Sequence, residues 1–281
     1  MSTFTAVGPA LDLDGPLPVA PPHSLLKTDG VVVSEDATRV LNGVNVWGYP
    51  TGCSSLWDPC SDGTYATKND DSEQPLPRFD SFVVYKPITC SSISMGDPEE
   101  FARRSERVLE ATLSAAVESA LAGGFDPSTN PFFGDTNVDD VTPTPGTAVS
   151  PGVGLSLLEE AIGATCRQGM IHATPAAITA MQAFPIGDMA DMRLITAVGT
   201  PVVSGMGYQG IDTPFLPDPG VGEAYMFATG PVQVHLGPLV MTNVKESLDR
   251  SDNVITFRAE RYVLALWDTA LQAAVLVDWA S

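Results

Sequence analysis

The residues best suited to chemistry are few, and they stand apart from one another. Gly205-Met206-Gly207-Tyr208-Gln209-Gly210 spells G-x-G-x-x-G behind a strand-like stretch at 200–204. That spacing can cradle a dinucleotide pyrophosphate, but only with a helix opening inside it and a βαβ unit around it. Pro214, Pro217 and Pro219 follow instead and forbid the helix, so a glycine-rich turn is expected. His23, His172 and His235 are far apart and none has a helical i+4 partner. His172, in an apolar context, and His235, in a strand pattern, read as hydrogen-bonded structural histidines rather than metal ligands. Cys53, Cys60, Cys90 and Cys166 show no C-x-x-C spacing and no accompanying histidine cluster. Cys53 and Cys60 could close a small loop, but reduced thiols are the expectation. The pairs Asp139-Asp140 and Glu159-Glu160 fall on a presumed loop and a presumed helix surface and read as solvated charge. Lys68 and Lys86 read as exposed lysines on a strand or its tip. No G-x-S-x-G elbow and no P-loop lysine occur. Catalytic, cofactor-binding and metal residues are therefore all expected to be absent.

The elements that surround these residues point to architecture rather than catalysis. A length of 281 residues is near the upper limit for one hydrophobic core. An apolar share of 44% with 17% charged residues describes a folded chain. The 24 prolines and 25 glycines gather at 8–22, 124–154 and 199–222, which suggests arms and loops around a compact centre. The net charge of −20, from 34 acidic against 14 basic residues, repels phosphate and disfavours direct nucleic-acid binding. The densest basic cluster, Arg103, Arg104 and Arg107, sits inside a helix pattern and reads as a solvated or interface face. No apolar run reaches the roughly 18 residues that cross a bilayer. Residues 1–20 lack the charged and apolar regions of a secretory signal, so folding in a cytoplasm is expected.

Residues 1–40 have no sustained periodicity, and their Gly-Pro, Pro-Leu-Pro and Pro-Pro steps favour an extended backbone. Such an arm is ordered only when something holds it, a neighbouring subunit being the obvious candidate. Residues 41–95 read as a two-stranded excursion: Val44, Val46, Trp47 and Tyr49, then a polar tip at 61–74, then β-prone residues at 79–88. The clearest helix follows, with Asp97 as cap, Pro98 at the first position and Glu100 as in a capping box. Its stripe is Phe101, Val108, Leu109, Leu113, Ala116, Val117, Ala120 and Leu121, with Ser105 and Thr112 on the same face and a stop at Gly123-Gly124. About 25 residues give a rod of roughly 37 Å. A second helix is expected at 155–168, with Leu155, Leu158, Ile162 and Cys166 on one face. A buried strand at 170–172 and a third helix, capped by Thr174 and opened by Pro175, come next. Strand-like segments lie at 194–198, 201–203, 224–228, 232–236, 254–266 and 271–277. Helices of unequal length and a β-rich last third predict an α+β fold.

Three features then converge. Val254-Ile255-Thr256-Phe257-Arg258-Ala259-Glu260-Arg261 runs into the apolar stretch 262–267. Gly199-Thr200-Pro201-Val202-Val203 leads after a loop to 224–230 and the strand at 232–236. The third feature is the order of elements: arm, excursion, long helix, mixed lobe. Together they resemble the major capsid proteins of tailed bacteriophages, those with the Hong Kong 97-type fold. The order covers nearly the whole chain, the motifs only the short C-terminal stretches. The resemblance implies an N-terminal arm at 1–40, an extended E-loop hairpin at 41–95, a P-domain with a long spine helix at 96–150 and 228–262, and an A-domain at 151–227 and 263–281.

It further implies a non-enzymatic subunit that self-assembles into hexamers and pentamers, forming an icosahedral shell around phage double-stranded DNA. No cofactor and no membrane are implied. DNA would be enclosed without sequence-specific binding, in a virion assembled in the host bacterial cytoplasm, with portal, scaffolding or decoration proteins as partners. The chain leaves no room for the long N-terminal scaffolding segment of many relatives, so scaffolding is expected to be separate or dispensed with. Some capsid families join a lysine of the excursion to an asparagine of a neighbour, but Lys68 and Lys86 are expected to be simply exposed. An encapsulin-type compartment shell of the same fold is the alternative. An enzymatic reading would rest on the glycine-rich turn alone.

Overall fold

In the computed structural model the described residues are 16–35, 42–46, 77–91, 98–126, 128–181, 194–211, 213–241, 248–249 and 254–280. They form β1 (Val32–Ser34), β2 (Val44–Asn45), β3 (Arg78–Phe79), β4 (Phe82–Ser91), α1 (Pro98–Gly123), β5 (Asp139–Asp140), α2 (Pro151–Ala164) and β6 (Met170–Ala173). These are followed by α3 (Pro175–Ala180), β7 (Val202–Ser204), β8 (Glu223–Thr229), β9 (Val232–Met241), β10 (Leu248–Asp249), β11 (Val254–Trp267) and β12 (Gln272–Asp278). The class is α+β, as the sequence predicts. One sheet has the order β1-β9-β11-β10, with β4 also paired to β11. A second has the order β5-β12-β8-β6-β7, and β2 and β3 form a small antiparallel ribbon. Among the described residues no helix is long and apolar enough to cross a membrane.

Helix α1 is the 26-residue rod the stripe predicts. Glu99 and Glu100 in its first turn suit the positive end of the helix dipole. The Glu100 carboxylate also reaches forward to Arg103 at 2.7 Å and Arg104 at 3.3 Å. Asp97, the expected cap, lies outside the described residues. Leu109, Leu113, Val117 and Leu121, spaced by four, are buried with Ser105, Ser114, Glu118 and Ala122. Thr112 is not on that face: it is exposed and its hydroxyl donates to the Val108 carbonyl at 2.8 Å. The contact line runs through 105, 109, 113, 117 and 121, so 108, 112, 116 and 120 flank it. Ser105 is more than a tolerated small residue, since its hydroxyl donates to the Lys86 carbonyl at 2.6 Å and accepts the Ala259 amide at 3.1 Å. It thereby stitches the rod onto both β4 and β11.

The second sheet is buried on both faces, which explains its unbroken apolar strands. Tyr225, Phe227, Ala274 and Leu276 point into the cluster shared with α1 and the first sheet. Their neighbours Met226, Ala228, Ala273, Val275 and Val277 point the other way, against α2 and α3. Phe133 seals the junction between the sheets, edge-on to Trp267 at 5.2 Å and 5.9 Å from Phe227.

Several boundaries differ from expectation. Helix α2 starts four residues early because Pro151 supplies its first turn, and it buries Pro151, Gly154, Leu158 and Ile162. It ends early because Cys166 turns left-handed (φ 54°), which takes that residue off the helix face. Cys166 is disulfide-bonded, correcting the expectation of reduced thiols; Cys53 and Cys60 lie outside the described residues. The 194–198 segment is strand-like only at Ile195, which bridges to Pro201, before it turns back through the Thr196 amide on the Thr200 carbonyl at 2.9 Å and the Gly199 amide on the Thr196 carbonyl at 3.0 Å. Asp139-Asp140 forms a short edge strand parallel to β12 instead of a loop. At the base of the excursion Val44 pairs with Phe79 and Asn45 with Arg78, while Trp47, Tyr49, Lys68 and the 61–74 tip lie outside the described residues.

Two glycines of α2 should respond oppositely to alanine. A Cβ on Gly154 would stand 2.6 Å from Val277 Cγ1, whereas one on Gly163 meets nothing within 4 Å. Gly163→Ala should stabilise the fold by about 0.5–1 kcal/mol, and Gly154→Ala should destabilise it by about 1–3 kcal/mol. Urea-unfolding midpoints of the two variants check this; equal shifts would refute the packing.

Candidate functional site

The polar residues that the fold gathers lie in a buried junction where α1, the N-terminal segment, the 205–210 loop and β6 meet. Glu118 is fully buried on α1. One carboxylate oxygen accepts the Leu25 backbone amide at 2.8 Å and the Ser114 hydroxyl at 3.0 Å. The other accepts the Gly207 amide at 2.9 Å. The Ser114 hydroxyl oxygen in turn accepts the Leu26 amide at 3.1 Å. A short helical turn at Leu25–Lys27 is thus seated on the rod, with Leu25 wholly buried. The His23 carbonyl, accepting the Ser204 amide at 2.9 Å, ties the same segment to β7.

The glycine-rich loop owes its composition to this seat. It leaves β7 at Gly205 and makes one tight turn, Met206–Tyr208. A Cβ on Gly207 would collide with the Ala115 carbonyl, and would lie 2.6 Å from Glu118 Cβ. One on Gly205 would stand 2.6 Å from the Glu118 carboxylate. Close approach of loop to helix, not phosphate recognition, therefore demands both glycines.

On the far side of the loop, Tyr208 and His172 complete the junction. His172 Nδ1 lies 2.9 Å from the Tyr208 hydroxyl, and Nε2 lies 2.9 Å from Thr229 Oγ1. The Thr229 hydroxyl donates to the Gly230 carbonyl at 2.9 Å, so it must accept from Nε2–H. Nδ1 then accepts from Tyr208, and the ring is neutral with both nitrogens satisfied. Burial drives the His172 pKa down to about 3. Burial, and then the negative charge of Glu118, push Tyr208 well above its ordinary value, which keeps it a donor. A neutral histidine locked between two hydroxyls positions a loop; it offers no free base.

The other sequence candidates scatter. His235 lies in β9 and is half-buried, far from this junction in the sheet order. Glu160 is exposed on α2, but Glu159 is not simply solvated: it accepts the Thr200 hydroxyl at 2.9 Å, and its other oxygen is buried without a partner. Lys86 is exposed on β4, and Arg103, Arg104 and Arg107 are exposed on α1. No group of three or more metal-ligating side chains occurs among the described residues. Sequence reasoning missed Glu118. The available signal was Ser114 and Glu118, polar residues four apart among the buried leucines of α1.

No protein-family model matches the sequence, and no curated protein matches it. The fold, however, has many solved counterparts. The holo-SrpI encapsulin complex from Synechococcus elongatus PCC 7942 aligns with a TM-score of 0.54 and 13% identity, covering 98% of this chain and 94% of that one. The capsid of the native GTA particle aligns at 0.55 and 14% identity, covering 96% and 100%. A chain of Mycobacterium phage Adephagia aligns at 0.53 and 10% identity, covering 96% and 94%. The chain therefore has the Hong Kong 97-type fold of capsid and encapsulin shell proteins. At these identities the likeness concerns the fold, and the counterparts are structural shell subunits rather than enzymes.

Two tests follow from the junction. The unfolded chain takes up a proton on residue 172 below about pH 6.5, whereas the folded ring resists it down to about 3. This part of the stability is complete above pH 6.5 and is lost as pH falls toward 3, at about 1.4 kcal/mol per unit. Between pH 7.5 and 5.0 the native chain should thus lose about 2 kcal/mol more than His172→Gln in chemical denaturation; equal losses would contradict the buried neutral ring. In the loop, Gly207→Ala should cost about 1–3 kcal/mol from overpacking. Gly210→Ala, at φ 60° in open space, should cost only about 1 kcal/mol. Unfolding midpoints that reverse this order would exclude the close approach at 207.

Proposed function

We propose that this chain is the major capsid protein of a tailed bacteriophage, assembling through hexamers and pentamers into an icosahedral shell around double-stranded DNA. The observation that carries the proposal is likeness of fold along nearly the whole chain, 96% of it in the phage Adephagia alignment. In this reading residues 1–40 are the arm, 41–95 the E-loop, 96–150 and 228–262 the P-domain with α1 as spine, and 151–227 and 263–281 the A-domain. The pairing of β5 with β12 joins residues 139–140 to the sheet of the A-domain.

Surface chemistry supports self-assembly. Leu17 and Val19, ahead of the junction, are 63% and 83% exposed. Tyr85, on β4, is 60% exposed. Apolar side chains in such positions are suited to burial by neighbouring copies. A net charge of −20 suits a container that encloses DNA without binding its sequence. Portal, scaffolding or decoration proteins would complete the particle, in a virion assembled in the bacterial cytoplasm.

An encapsulin-type compartment is the second reading, favoured by the alignment to the SrpI encapsulin. The glycine- and proline-rich arm and the long excursion favour the phage, because they suit a large shell under DNA pressure. Electron microscopy of the recombinant chain, with any scaffold co-expressed, should show closed icosahedral shells; monomers or small oligomers alone would defeat both readings. Nuclease-protected DNA in particles from the native source supports the phage capsid, and protein cargo without DNA supports the encapsulin.

A further inference from the structure

We infer that Glu118 and Ser114 form a latch which fixes the direction in which the N-terminal segment leaves the subunit, and so holds shell geometry uniform. The inference rests on the shell reading for its second half and on the hydrogen bonds of Glu118 and Ser114 for its first. Residues 16–19 are exposed, with Leu17 and Val19 among them, and form no strand. Further along, Leu25 and Leu26 donate their amides to Glu118 and Ser114, one helical turn apart on α1. These two bonds seat the segment on the rod, and the neighbouring Ser204 amide on the His23 carbonyl fixes its other side. Residues 16–22, with exposed Leu17 and Val19, lead into that seat. The carboxylate that holds Leu25 also holds Gly207, so the segment and the 205–210 loop are coupled through one side chain.

The coupling makes the latch separable by mutation. Ser114→Ala removes the acceptor of the Leu26 amide and leaves the Glu118 bond to Gly207 in place. Glu118→Gln keeps a single acceptor oxygen, so its amide group must face either Leu25 or Gly207 with a donor. Thr112→Ala, on the exposed side of the same helix, is the control.

Hydrogen exchange on unassembled subunits and electron microscopy of assembled particles test the two halves. In Ser114→Ala the Leu26 amide should exchange about tenfold faster while Gly207 keeps its native rate. In Glu118→Gln, Leu25 or Gly207 should accelerate by about as much. Both variants should form shells of mixed diameter, or open sheets, where the native chain and Thr112→Ala give one diameter. Uniform acceleration of all amides, or none, would overturn the latch. Local acceleration with shells of native uniformity would overturn its role in assembly. Failure of the native chain to form shells would reject the shell reading and with it that role, while the exchange rates still judge the latch.

Discussion

A carboxylate cut off from water has to find its hydrogen bonds inside the protein, and Glu118 finds three on three separate segments. Burying such a group unpaired costs several kcal/mol, so every segment that meets it must bring a donor and no bulk. Leu25 brings a backbone amide, Ser114 a hydroxyl and Gly207 an amide bare of a side chain. The next residue, Tyr208, is then aimed at His172, whose second nitrogen reaches Thr229 on β8. One buried acid thus dictates the glycines of a loop, the course of the N-terminal segment and the setting of a histidine on β6. Partly satisfied polar networks are costly and fully satisfied ones specify a unique core. This one is of the second kind.

The same economy governs how the two sheets join. The chain passes directly from one to the other between β8 and β9 and again between β11 and β12, and these two crossings touch. A Cβ on Gly230 would lie 2.6 Å from Asp268 Cβ, and the Asp268 amide donates to the Pro231 carbonyl at 3.2 Å. Just inside the crossings, Gln272 donates to the carbonyls of Phe132 and Phe133 at 3.1 and 3.2 Å and to Asp135 at 2.6 Å. That pins the loop after α1 and holds Phe133 against Trp267. The two sheets and the rod are thereby tied together through the loop after α1.

Elements governed by local rules were legible in the residues. Pro98, an unbroken helical pattern and Gly123-Gly124 delimit α1, and Thr174 caps α3 by accepting the Ala177 amide as expected. The glycine-rich turn is also legible, since the prolines after Gly210 leave no room for a long helix and only a short turn, Met206–Tyr208, forms. What depends on partners distant in sequence was not legible. The ten-residue pairing of β4 with β11 joins residues more than 160 positions apart, and neither strand announces the other. Glu118 was missed, because its burial is decided by Leu25 and Gly207. Glycine composition was visible, but its cause was a helix elsewhere in the chain. The difference in α2 has the same origin: Gly154 faces Val277 and helps set which side is buried.

Charge adds a last constraint on how such subunits can associate. Copies carrying −20 each repel one another, and at physiological ionic strength that repulsion is screened beyond roughly 8 Å. Contact therefore has to be driven at short range, by apolar surface and backbone pairing, and held against the residual repulsion. The exposed apolar groups are placed accordingly. Leu17 and Val19 lie on the arm side of the latch, Val83 and Tyr85 on the outer strand β4, and Val221 and Phe215 on the proline-rich loop before β8. They lie on the N-terminal segment, an edge strand and a loop, within reach of a neighbouring copy in the proposed shell. In the proposed shell an arrangement of that kind would gain cohesion from its extremities, and the angle at which the N-terminal segment departs from Glu118 would matter more than its few hydrogen bonds suggest.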